Sequence, residues 1–112
     1  MEPDGTPLEA LEGAPFQFSD LIEYQDGAIV SRTLIDAASA TLTVFALDEG
    51  QTISEHSAPH DAILQVVDGT GAVTIDGEEH VLEAGEALAM PANVPHAVAA
   101  PSRFTMVLTM VR

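Results

Sequence analysis

Residues 50–69 read GQTISEHSAPHDAILQVVDG, and the fold is decided in this stretch. Two imidazoles, His56 and His60, stand on a short β-like segment. The segment runs into a nearly continuous apolar strand over residues 62–67, which is expected to stop at Asp68-Gly69. A third imidazole, His96, returns in GEALAMPANVPHAVAA, residues 85–100, just after Pro95. The chain has four histidines, so three of them fall in these two stretches. Two imidazoles set close together and a third brought back to them are what a pocket for a divalent metal or for proton transfer needs.

Outward from that stretch the chain reads as β. Residues 28–35 are β-branched, with Ser31, Arg32 and Thr33 interrupting, and residues 41–47 alternate in part. Asp76-Gly77, between residues 73–76 and 79–82, is a two-residue hairpin signal. Residues 87–90, 97–100 and 104–111 supply the last strands. Many short strands with turns every 8 to 12 residues predict a sandwich or barrel, and no long helical period competes. Toward the N-terminus, residues 1–15 carry three prolines and two glycines among acidic side chains and read as a flexible arm. Phe16 and Phe18 would anchor it, and Ser19 is expected to cap a single helical turn over residues 21–23. Residues 16–112 then form one domain, the size that a single modest core can hold together.

Charge narrows the partners. Eighteen acidic residues face three arginines and no lysine, for a formal charge of −15. Such a chain repels phosphate backbones and anionic lipid, so neither nucleic acid nor a membrane is expected as a partner. Hydrophobic content is 46%, too high for an acidic disordered protein. An ordinary core inside a lysine-free acidic surface suits a salt-rich, halophilic cytoplasm, where ionic strength relieves self-repulsion. Met1-Glu2-Pro3-Asp4 has no basic segment and does not read as a signal peptide, so a cytoplasmic location is the expectation. With no cysteine, neither disulfides nor thiolate metal sites are available.

The two histidine stretches resemble the paired motifs of the cupins, small jelly-roll β-barrels also described as double-stranded β-helices. Gly50, His56 and Gly69 fall on the first motif, and Gly85, Pro91 and His96 on the second, with Asn93 in a glycine slot. The resemblance covers roughly residues 40–111 and implies an all-β barrel, commonly dimeric. The strand over residues 28–35 is the candidate dimer edge. Ala58, Ala62 and Ala100 stand where the family motif has a histidine, a glutamate and an asparagine. Two of the four usual metal ligands, the second histidine and the glutamate, are therefore replaced.

The expected metal set is thus His56 and His96, with His60 as the candidate third ligand. Residues 56, 58 and 60 share one face of an extended strand, but four residues of strand span about 13 Å, and Pro59 would have to bend it. Otherwise His60 faces solvent at the barrel mouth. Gln65 would address a ligand only if a bulge turned it inward, and Met90, just before Pro91, would line the pocket. His80, Met106 and Met110 read as ordinary strand and core residues, and Asp61 as an imidazole partner or a turn carboxylate. An imidazole-rich, thiolate-free shell suits iron, nickel, copper, manganese or zinc. The resemblance then implies a small-molecule site, with oxygenase or isomerase chemistry on a small uncharged substrate. The alternatives are a non-catalytic ligand-binding or sensing barrel without a complete metal shell, and metal-free acid–base work by His56 with His96.

Overall fold

A computed structural model describes residues 8–112. Eight strands follow in order: β1 (Ile29–Asp36), β2 (Ala40–Leu47), β3 (Thr52–His56), β4 (Asp61–Ile75), β5 (Glu78–Glu83), β6 (Ala87–Met90), β7 (His96–Ala99) and β8 (Phe104–Val111). They form one antiparallel sheet in the order β1-β2-β8-β4-β7-β3, with β5 and β6 also pairing to β4. The first half of β4 lies between β8 and β6, and its second half between β7 and β5. One strand therefore serves both walls, and the sheet curls into the half-barrel of a jelly roll. Among the described residues no helix is long and apolar enough to cross a membrane.

The turn expected at Asp68-Gly69 is not there. β4 runs straight through these residues, with a register shift against β8 between Val66 and Asp68. The reason is a close approach. Gly69 has φ +77°, and a Cβ on it would run into the Arg103 carbonyl oxygen. A Cβ on Gly71 would sit 2.7 Å from the Phe104 ring. These glycines make room for the start of β8 where β4 bends between the walls. The Asp76-Gly77 hairpin does form: both residues have positive φ, 51° and 84°, as a type I′ turn requires, and Ile75 pairs with Glu78.

The main core fills the barrel, with Leu47, Leu64, Val66, Val73, Phe104 and Met106 all but completely buried. A second cluster lies on the other face of the sheet. There Leu34, Val44 and Val107 are covered by Leu11, Phe18, Leu21 and Ile22. The N-terminal segment is therefore packed in part. Residues 1–7 of the expected arm lie outside the described residues, while Leu8–Leu11 and Phe18–Leu21 are short 3-10 turns. Ser19 is not a cap. Gln17 holds that position without a side-chain bond, and Ser19 lies inside the turn, which packing rather than capping holds in place.

Candidate functional site

β3 and β7 pair antiparallel, with Ile53 opposite Val98 and His56 opposite His96. Between these pairs Ser54 and Glu55 of β3 stand against Ala97 alone, a bulge between Ile53 and His56. On a regular strand, residues three apart point to opposite faces. The bulge resets that alternation, so both Ile53 and His56 face the same cavity as His96 and Val98. The two imidazoles meet edge to face, ring centroids 4.3 Å apart and planes inclined at 67°. They stand at the mouth rather than deep inside, His56 exposed and His96 half-buried.

Each ring is held from behind. His56 Nδ1 lies 2.9 Å from the Ser54 carbonyl oxygen, and His96 Nδ1 lies 3.1 Å from that of Val94. A carbonyl only accepts, so each Nδ1 carries the hydrogen and donates it. In the neutral rings Nε2 is left with its lone pair. Behind the histidines is a cavity of about 160 Å³. Leu64, Met90, Val98 and Met106 make its buried floor, and Phe45, Ile53 and Leu108 its half-buried sides. Of two wider hollows, one of about 420 Å³ lies beside Leu21 and Arg32 and one of about 400 Å³ shares only Met90 with this cavity, and no histidine lines either of them.

The structure brings His56, His96 and Met90 together around one cavity, and leaves His60 and Gln65 out of its lining. β3 ends at His56, and the chain then turns through Pro59 before β4 begins at Asp61, so residues 56 to 60 are not one extended face. Among the described residues, no three His, Cys, Asp or Glu side chains come together as a metal-holding group. Gln65 is exposed while its neighbours Leu64 and Val66 are buried, because no bulge interrupts β4 there and the side chain keeps its outward parity. Asp61 is a turn carboxylate: its Oδ1 accepts from the Ala92 amide at 2.8 Å and pins the loop that leads to His96. In that loop Asn93 takes φ +66°, the left-handed conformation that its glycine slot demands. Ala62, in the glutamate slot, is buried opposite Met90 and presents no donor. His80 is an ordinary residue of β5, 3.9 Å from Glu78. Sequence reasoning missed Phe45, Ile53, Leu64, Val98 and Leu108 as lining and read Met106 only as core. The inward parity of β2 and β8 was the available signal for Phe45, Met106 and Leu108.

A curled antiparallel barrel with a histidine pair at the mouth of an apolar cavity defines the class, and comparison agrees. The profile of the cupin domain matches residues 43–112, and the chain belongs to the cupin family. It is similar to a conserved protein of unknown function from Streptococcus pyogenes, at 34% identity and a TM-score of 0.86, over 90% of this chain and 89% of that one. It is also similar to a cupin 2 conserved barrel domain protein from Leptotrichia buccalis, at 37% identity and a TM-score of 0.81, over 84% of this chain. The match spans 46% of the Leptotrichia protein. The DMSP lyase DddQ of Ruegeria pomeroyi shares the fold, with 18% identity and a TM-score of 0.70 over 75% of this chain and 47% of the lyase. No curated protein matches the sequence.

Proposed function

We propose that this cupin binds a small molecule in the cavity between the two walls of its barrel, with Nε2 of His56 and Nε2 of His96 as the polar contacts. One observation carries this reading. Both Nδ1 atoms are committed to backbone carbonyls, so both Nε2 atoms are held ready at the mouth of an otherwise apolar pocket. Few polar groups, well placed on apolar walls, are the usual make-up of a small-molecule site. The cavity is small by that standard, which restricts the ligand to about the size of one ring.

The same anchoring favours a second reading, in which the pair holds a divalent transition-metal ion. Metal-ligating histidines commonly donate their other ring N–H to a carbonyl, which sets tautomer and orientation. His56 and His96 would hold the ion, which when bound supplies the Lewis acidity or redox chemistry that oxygenase or isomerase activity requires. The donor set fits only in part. Two imidazoles are one short of the three protein ligands of a typical catalytic zinc site, and Ala62 stands in the slot of the missing carboxylate. That shortfall is why metal-free binding is the first reading.

Elemental analysis of tag-free protein, wild type and His56→Ala/His96→Ala, decides between them. The first reading expects no stoichiometric metal in either protein, even after incubation with divalent ions. One equivalent in the wild type that disappears in the variant would replace it with the second.

A further inference from the structure

The chemistry of the cavity also restricts its occupant, if the cavity is the ligand site proposed above. In their neutral form the two imidazoles present only acceptors to the pocket, because each ring's hydrogen is spent on the carbonyl of Ser54 or Val94. A ligand that seals the mouth without offering a donor buries those lone pairs unsatisfied, which is unfavourable. Every other lining side chain is apolar, and no arginine is among them. A carboxylate or phosphate there would lose its water without gaining a cation. Arg103 is engaged elsewhere, with Asp48 and Asp26. Size sets the last limit, since an apolar cavity of about 150 Å³ holds one benzene ring, and this one measures about 160 Å³. Met90 and Met106 offer thioether sulfurs, which pack well against aromatic rings.

We infer that the ligand is an uncharged, single-ring aromatic molecule carrying at least one O–H or N–H donor, of the phenol class. The ring lies on the floor formed by Leu64, Met90 and Met106, and the hydroxyl donates to Nε2 of His56 or His96 at the mouth. Ligand size and polarity are thereby read by different parts of the pocket, the apolar floor and the histidine pair.

Phenol, toluene and benzoate separate these features, because a methyl replaces the hydroxyl at nearly the same size and a carboxylate adds charge. Titrations on metal-stripped protein at about pH 8, above the ordinary imidazole range, would follow the methyl signals of Leu64, Met90 and Met106. Phenol is expected to bind about five- to tenfold more tightly than toluene, as one net hydrogen bond allows, and benzoate not at all. The same spectra show whether His96→Leu and His56→Leu are folded, and in these variants the preference for phenol should be lost. Toluene binding as well as phenol, or better, would overturn the donor requirement and leave the cavity as the binding site. Benzoate binding most tightly would overturn the requirement for a neutral ligand. If no probe moves the methyl signals, both this inference and the small-molecule reading beneath it fail. The wild-type comparison stands alone should a variant not fold.

Discussion

Gly71 and Phe104 show how two positions far apart in the chain depend on one another. Phe104 is wholly buried, and its ring edge occupies the space where a Gly71 side chain would begin. A ring packed on all sides cannot swing away, so Gly71→Ala overpacks the barrel and is expected to cost about 1–3 kcal/mol. Urea denaturation measures it. Because the two side chains would share one space, Gly71→Ala/Phe104→Leu should be less destabilised than the sum of its single changes, by about 0.5 kcal/mol or more. Strict additivity would show that the crowding lies elsewhere. The histidine pair behaves differently, since His56 and His96 were legible from motif spacing alone, and Asn93 from its glycine slot. His60 and Gln65 were misleading for a physical reason. Each has the chemistry of a ligand, but Pro59 ends the extended face before His60, and strand parity turns Gln65 outward.

Strands were easier to find than their irregularities. Residues 104–111 and the Asp76-Gly77 hairpin stand where alternation and turn chemistry put them. The bulge in β3 and the continuity of β4 were hidden, because Asp68-Gly69 looks locally like a turn and only the distant backbone at Arg103 and Phe104 explains its glycine. The N-terminal segment was hidden too, as its 3-10 turns have no period and its partners, Leu34, Val44 and Val107, lie on other strands. A polar latch holds the segment down. Thr105 donates to the Tyr24 hydroxyl at 2.9 Å, and Tyr24 donates to Asp68 at 2.6 Å. Arg103 lies 5.5 Å from the Tyr24 ring and bonds Asp48 at 2.7 Å, while Asp48 also accepts from the Gly27 amide. Burial, then the bond to Asp68, pushes the Tyr24 pKa up from its ordinary 10 to about 12. The folded state thus holds that proton more tightly, so this stabilisation is complete below pH 10 and is lost as pH rises through about 12. The bond from Arg103, then that from Gly27, lowers Asp48 from 3.8 to about 2. Its contribution is present above pH 3.8 and is lost as pH falls through about 2. Stability followed by circular dichroism should therefore fall at both extremes. Tyr24→Phe should flatten the alkaline limb alone, and Asp48→Asn the acid limb alone. A variant that leaves its own limb as steep as wild type would remove that side chain from the latch.

Across the protein as a whole, charge sets the response to salt, and two effects oppose each other. Arg103 pairs with Asp26 and Asp48, and Arg112 with Asp36, all between side chains at least partly exposed to solvent. Salt weakens such pairs, but exposed pairs contribute little to begin with. Against them stands a formal charge of −15 on a body of 40 × 32 × 26 Å. At 0.1 M salt the screening length is about 10 Å, so neighbouring carboxylates still repel, whereas at 1 M it is about 3 Å and most of that repulsion is gone. Like charges outnumber attractive pairs, and compaction brings them closer than they are in the unfolded chain. Relief of repulsion should therefore win, and the urea midpoint should rise steadily with potassium chloride from dilute buffer to molar concentration. Replacing exposed acidic side chains of the β4–β5 hairpin, such as Asp76 and Glu79, by their amides should raise the midpoint in dilute buffer and shrink the salt effect. A midpoint that falls with salt would mean that the few arginine pairs outweigh the acidic surface, and the expectation of a high-salt habitat would lose its physical basis.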